Sequence, residues 1–113
     1  MPERSANVAS IEGRIVERDS LRYTPAGIAI IRMTVAHQSE QIEAGEPRAL
    51  ELELTCIAVE AEARLIAKAA LGTMVRVSGF LARKSRTSRN IELHAASVEF
   101  LSEHLTERGS NEL

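Results

Sequence analysis

The most concentrated set of side chains able to bind a charged ligand lies in the last third of the chain. Residues 83–89 read Arg-Lys-Ser-Arg-Thr-Ser-Arg, which gives four positive charges and three hydroxyls without an acid. Basic side chains neutralise phosphates, and hydroxyls donate hydrogen bonds to phosphate oxygens. Arg83, Lys84, Arg86 and Arg89 are therefore predicted to contact a nucleic-acid backbone. The alternative is a solvated hairpin tip, which is common in soluble proteins.

Three further arginines extend this prediction. Arg14, Arg32 and Arg76 fall at the polar positions of segments that alternate apolar and polar residues, which is the pattern of half-buried strands. We expect them to face outward and to continue the path of a nucleic-acid strand across the surface. For each arginine taken singly, an ion pair with a glutamate on a neighbouring strand is the simpler interpretation.

An acidic ladder stands apart from these cations. Glu51 and Glu53 alternate with leucines, and Glu43 and Glu46 precede them. Because charges this dense repel nucleic acid, they predict either a docking surface for a basic protein partner or simple solubilisation of a strand face, and we weigh the two equally.

The sequence gives no support for catalysis. His37, His94 and His104 share no spacing typical of metal ligands, and Cys56 falls at an inward strand position, where a buried and inert thiol is the norm. Neither a glycine-rich phosphate loop nor a nucleophile motif is present. We therefore predict a protein that is not an enzyme, with no metal site and no cofactor.

Five segments of alternating hydrophobicity must position these side chains. They cover residues 8–16, 27–37, 50–56, 75–81 and 91–100, and each predicts a half-buried strand. The last one changes phase at Ala96, which predicts a bulge. Residues 24–27, Thr-Pro-Ala-Gly, predict a turn, and the polar residues 38–48 predict a long loop between the second and third strands.

One segment breaks the period of two. Residues 59–70 are rich in helix formers, with acids early and Lys68 late, and Leu71-Gly72 supplies a stop. Three strands, a helix and two strands are the order of an OB-fold, an all-β, five-stranded Greek-key barrel with one short helix between strands 3 and 4. Since the second strand's outer face is central to binding in this fold, Arg32 is the arginine favoured for DNA contact.

Length and composition set the remaining limits. The 113 residues fit one OB-fold domain at 1–101 and a polar C-terminal tail at 102–113. No apolar run approaches the roughly 20 residues of a membrane span, the N-terminus lacks the layout of a signal peptide, and a single cysteine fits a reducing cytoplasm. The net charge of −2 argues mildly against tight DNA binding.

Several motifs resemble bacterial single-stranded DNA-binding proteins. Residues 22–27, Arg-Tyr-Thr-Pro-Ala-Gly, are similar to that family's Arg-x-Thr-Pro-Ser-Gly turn, and residues 7–19 resemble its opening strand. Residues 36–45, 77–81 and 91–95 resemble strands and a loop of the family's primosomal members. The similarity runs in order from about Asn7 to Leu101. The chain also ends without the acidic tail and Pro-Phe tip of general coating proteins, which favours the primosomal members.

The resemblance implies a function and partners. It implies a cytoplasmic primosome accessory protein in DNA replication restart, a homodimer that binds single-stranded DNA and stabilises its complex with the PriA helicase and other primosome proteins. Alternatives are a general single-stranded DNA coating protein and an OB module that binds only protein. The surfaces of the first and fourth strands are the expected dimer interface.

The resemblance also predicts how strongly DNA is bound. Where better-known primosomal members carry a Phe and a Trp that stack on bases, this chain has Glu46 and Glu51. Its three aromatic residues are Tyr23, Phe80 and Phe100, and we expect Phe80 and Phe100 in the core or the dimer interface. Since a stacked base contributes roughly 1–3 kcal/mol, binding is predicted to be weak, salt-dependent and carried by arginine.

Overall fold

Alternation of apolar and polar residues produces the long strands of the computed structural model, which describes residues 4–101. These strands are β1 (Ala9–Arg18), β3 (Ala29–Glu43), β4 (Glu46–Val59), β5 (Met74–Arg83) and β6 (Ile91–Phe100). Helix α1 (Glu60–Ala67) lies between β4 and β5, and the two-residue strand β2 (Arg22–Tyr23) pairs with the start of β3.

Strand β1 closes the sheet into a barrel because it pairs with a different strand along each half. Its first half pairs with β5, and its second half pairs with β3. An irregularity between Ile15 and Glu17 marks the change of neighbour. Strands β4 and β6 run parallel, and the other pairs are antiparallel. The order β1-β3-β4-β6-β5-β1 confirms the predicted OB-fold, including the helix between the third and fourth long strands.

The barrel interior is filled by apolar residues of the alternating strands, together with Ile66 of α1. Alternation places their side chains on one face of each strand, where they are removed from water. The largest fully buried side chains are Ile15, Ile31, Met33, Val35, Cys56, Ile66, Val75, Val77 and Leu93.

The predicted bulge in β6 is confirmed at Ala96. Ser78 of β5 lies opposite Ser97, and Gly79 lies opposite Ala95, so Ala96 is the extra residue. A Cβ atom on Gly79 would lie 1.8 Å from the carbonyl oxygen of His94 and 2.9 Å from the backbone nitrogen of Ala96. The absence of a side chain at Gly79 therefore permits the close approach of the two strands at the bulge.

The prediction of a loop over residues 38–48 is wrong. Strands β3 and β4 continue to a tight turn at Ala44-Gly45, where both residues have positive φ, 53° and 79°. Backbone hydrogen bonds hold such a ladder without apolar side chains, so the polar composition concealed it. Because this hairpin runs past the barrel, Leu52 is 40% exposed although it continues the inward face of β4.

Helix α1 is shorter than the predicted 59–70. It ends at Ala67, and Arg18 Nη1 donates hydrogen bonds to the carbonyl oxygens of Ile66, Ala67 and Ala69, at 3.3, 3.3 and 2.6 Å. A cation is favourable at this negative end of a helix dipole. Ala63 and Ile66 are the helix residues buried against the barrel.

The predicted turn over residues 24–27 is confirmed, with the Gly27 amide donating to the Thr24 carbonyl at 2.8 Å. The predicted polar tail, residues 102–113, lies outside the described residues. Within residues 4–101, no helix is long and apolar enough to cross a membrane.

Candidate nucleic-acid interface

The segment between β5 and β6 presents the four cations that the sequence singled out. Arg83 ends β5, and residues 84–90 form a loop in which the Lys84 amide donates to the Asn90 carbonyl at 2.9 Å. Arg83, Lys84, Arg86 and Arg89 are all exposed, and none makes a side-chain hydrogen bond or ion pair with the part of the chain that is described. Their charges are therefore available to a ligand. We call residues 83–89 the basic loop.

A cleft of about 270 Å³ lies beside the basic loop on the outer face of the barrel. Lys84 and Asn90 contribute to it from the loop, and Arg32 contributes from β3. Lys84 and Arg32, which lie about 50 residues apart in sequence, thus border one depression. Its lining consists of Arg32, Glu53, Leu54, Thr55, Lys84, Asn90, Ile91 and Glu92.

Arg32 is held in this cleft by Glu92 of β6. Arg32 Nε donates to Glu92 Oε2 and Arg32 Nη2 to Glu92 Oε1, both at 3.2 Å. The Glu92 side chain is 5% exposed, whereas that of Arg32 is 36% exposed. Burial raises the pKa of the Cys56 thiol to about 12, and the negative charge of Glu92 contributes to that shift. An ion pair of Arg32 with a glutamate was the simpler interpretation of the sequence and is confirmed, but the sequence did not indicate Glu92 as the partner, because 60 residues separate the two.

Four outward residues form a row across the sheet at the level of Arg32. Arg32 lies opposite Ile57, Ile57 opposite His94, and His94 opposite Phe80. The Phe80 and His94 rings stack with centroids 5.2 Å apart and an angle of 11° between their planes. Phe80 is 48% exposed, so it does not lie in the core, because its neighbours Gly79 and Leu81 take the inward positions of β5. Its alternative place in a dimer interface stays a prediction. The alternation of apolar residues along β5 already places Phe80 on the outward face, so its exposure could have been predicted from the sequence.

Arg14 and Arg76 face outward as predicted, but neither lines the cleft. Arg76 pairs with Glu12 and Glu99, at 2.6 and 2.7 Å, and these hydrogen-bonded carboxylates raise the pKa of its guanidinium. Arg14 Nη1 donates to the Gly72 carbonyl at 2.9 Å. Arg76 precedes Arg83 by seven residues of β5, which is about 23 Å along a strand. The structure thus brings Arg32 and the basic loop together and leaves Arg14 and Arg76 at a distance.

The acidic residues predicted as a ladder lie on the β3–β4 hairpin. Glu53 borders the cleft, and Glu51 accepts a hydrogen bond from Gln38 Nε2 at 3.4 Å. Arg48 pairs with Glu43 across the hairpin. The charged side chains that line the cleft are therefore of both signs, Glu53 and Glu92 against Arg32 and Lys84.

Groups suited to a metal ion are not assembled within residues 4–101, where no three His, Cys, Asp or Glu side chains lie close enough to share one. Cys56 is fully buried, and its raised pKa keeps it a neutral thiol at neutral pH. The exposed cations and the open cleft offer binding chemistry to an anionic polymer.

Comparison with known proteins shows which family the chain belongs to. Residues 7–97 match the family described as "Another single-strand binding protein family". The match covers well over half of the chain, which therefore belongs to this single-strand binding protein family.

Within it, the chain is similar to proteins named replication restart protein PriB. It is 38% identical to that of Bordetella pertussis over 88 residues, covering 78% of this chain and 82% of the relative. For that of Nitrosomonas europaea the identity is 37% over 102 residues, covering 88% and 94%. The solved structure of PriB from Ralstonia solanacearum superimposes with a TM-score of 0.80 at 28% identity, covering 87% of this chain and all of that one.

The fold is shared more widely. The Plasmodium falciparum SSB, solved in complex with ssDNA, superimposes with a TM-score of 0.72 at 23% identity, covering 90% of this chain and all of that one. This likeness supports the barrel assignment independently of the PriB relatives.

Proposed function

We propose that the chain binds single-stranded DNA on the outer face of its barrel, with the basic loop contacting phosphates. The observation that carries this proposal is the exposure of Arg83, Lys84, Arg86 and Arg89 without acidic partners among residues 4–101, beside an open cleft. Phosphate neutralisation by such side chains supplies most of the affinity of sequence-independent binding. The PriB names of its relatives support the same function.

The binding is weak and strongly salt-dependent. Glu46 and Glu51 occupy the hairpin positions where stacking aromatics were expected from the resemblance, and Glu53 borders the cleft. In the row of outward residues that contains Arg32, the exposed aromatic ring is that of Phe80, which stacks on His94. Cationic contacts therefore provide more of the affinity than base stacking does, and Arg14 and Arg76 contribute only if the strand extends beyond the cleft.

The biological role that fits is that of a cytoplasmic, non-enzymatic accessory protein in replication restart. Its dimeric form would hold single-stranded DNA and stabilise the complex of the PriA helicase with that strand. The glutamates of the β3–β4 hairpin support separate binding surfaces for DNA and for protein, because they repel DNA and attract a basic partner. The proteins that it resembles are named for replication restart, which favours this role over that of a general coating protein.

Fluorescence anisotropy with a labelled oligo-dT strand tests the proposed function. We expect binding at low salt that weakens at moderate salt, and a larger anisotropy when PriA is added with the chain than with either protein alone. Tight binding of the strand by a tetramer of this chain would instead identify a general coating protein. No binding to the strand, together with retention of PriA in a pull-down, would identify a module that binds only protein.

A further inference from the structure

The Arg32–Glu92 pair differs from the other ion pairs of residues 4–101 in its burial. In each of the others, both side chains are at least 39% exposed. Glu92 is 5% exposed and has its two oxygens engaged by one guanidinium. A buried carboxylate without its cation is costly, so Arg32 is fixed in position more firmly than an arginine of a surface pair.

The geometry leaves one edge and the planar faces of the guanidinium unused by Glu92. Arginine has five N–H donors, and Glu92 takes one from Nε and one from Nη2. The remaining donors, on Nη1 and Nη2, point away from the carboxylate. Arg32 borders both the cleft of about 270 Å³ and an adjoining groove of about 570 Å³, so a ligand reaches it from either side.

The charge of Arg32 is largely cancelled by the carboxylate that holds it. A phosphate placed on Arg32 would also approach the negative charge of Glu92 and of Glu53 in the same cleft, which weakens its attraction. A guanidinium plane still stacks on nucleobases, and its free N–H groups donate to base oxygens and nitrogens. The site thus suits an uncharged, planar ligand with acceptor atoms.

We propose that Arg32, held by Glu92, contacts a nucleobase of the bound strand, while the basic loop contacts its phosphates. This inference rests on the proposed function and assigns different parts of the same ligand to the two sets of cations. Glu92 is a positioning residue, since it acts through Arg32.

The test compares a labelled oligo-dT strand with an abasic strand of equal length, each titrated at several salt concentrations. In Arg32→Lys, which keeps the charge and loses the plane, we expect the preference for oligo-dT over the abasic strand to fall about fivefold or more. The dependence of log affinity on log salt should stay unchanged. Arg22→Lys is the matched control, because Arg22 is exposed and paired with Asp19, and it should alter neither quantity.

Glu92→Gln tests the cancelled charge. The amide accepts one hydrogen bond from Arg32, through its single oxygen, and no longer neutralises the guanidinium. The slope of log affinity against log salt should therefore steepen by about 0.7, the value for one phosphate contact on a single strand. An unchanged slope in a folded variant would contradict the inference. If this variant does not fold by circular dichroism, Arg32→Lys alone decides.

One result in Arg32→Lys would overturn the inference while the proposed function stands, and that is an unchanged preference for oligo-dT over the abasic strand. A native chain that binds neither strand at low salt would overturn the proposed function as well.

Discussion

Arginines of the same charge have different roles here because their surroundings differ. Arg18 is engaged at the end of α1, and Arg76 lies between two glutamates. Arg32 is held by a buried carboxylate, whereas Arg86 and Arg89 have no side-chain partner among the described residues. The sequence predicted the outward position of Arg32 and Arg76 correctly. The ion pairing with glutamates that was the simpler interpretation is confirmed for both, but the sequence did not indicate which glutamates are the partners, since these lie far away in the chain.

Cys56 provides a test of the core at residue scale. The pKa of its thiol is about 12 in the folded chain and about 9 when unfolded. The unfolded state therefore loses its proton first, and stability should be full below pH 9 and fall as the pH rises from about 9 toward 12. Urea unfolding at pH 8 and 10.5 should show a smaller loss of stability for Cys56→Ala than for the native chain. Equal losses would argue against the buried thiol.

Phe80 provides a second test at this scale. Its exposed ring, stacked on His94, lies in the same row as Arg32. If a base stacks on it, Phe80→Ala should lower the affinity for oligo-dT about fivefold to a hundredfold, from roughly 1–3 kcal/mol per stacked base. Phe100→Ala is the control, because Phe100 is similarly exposed but borders a groove beside α1. Equal effects of the two substitutions on oligo-dT anisotropy would exclude stacking at Phe80.

At the scale of elements, sequence predicted the features that depend on side-chain alternation. The phase change in β6 correctly located its bulge at Ala96, because burial must resume on the same face. The β3–β4 hairpin was missed because its residues are polar and its ladder depends on backbone hydrogen bonds and on the turn at Ala44-Gly45. Leu52 is exposed because the hairpin extends beyond the barrel. This depends on the whole fold and cannot be predicted from the local sequence.

The bulge makes Gly79 a sensitive position. An added Cβ would meet the His94 carbonyl oxygen at 1.8 Å, so Gly79→Ala should reduce the free energy of unfolding by on the order of 3 kcal/mol. Gly45→Ala is the comparison, because its Cβ meets nothing within 4 Å and only the φ of 79° opposes it, at about 1–2 kcal/mol. Urea denaturation of both variants measures the difference, and a milder effect at Gly79 would contradict the bulge geometry.

At the scale of the molecule, a net charge of −2 conceals a separation of charges. The basic loop contributes Lys84 to the cleft, and the β3–β4 hairpin, which carries the acidic ladder, contributes Glu53. Sequence order was enough to predict the barrel, because three strands, a helix and two strands admit few arrangements. It was not enough to assemble the cleft, whose walls come from β3, β4, β6 and the basic loop. The expected homodimer through β1 and β5 stays a prediction, which analytical ultracentrifugation can test.

The salt dependence of oligo-dT binding, measured by anisotropy, tests the central claim most directly. The variant changes Arg83, Lys84, Arg86 and Arg89 to Ala, and the control removes the same total charge elsewhere, at Arg22, Arg48, Arg64 and Lys68. If the basic loop holds the phosphates, its variant should bind far more weakly, with the slope of log affinity against log salt shallower by about 3, while the control keeps most of the native slope. Equal losses in the two variants would show that overall charge, and not the basic loop, governs binding.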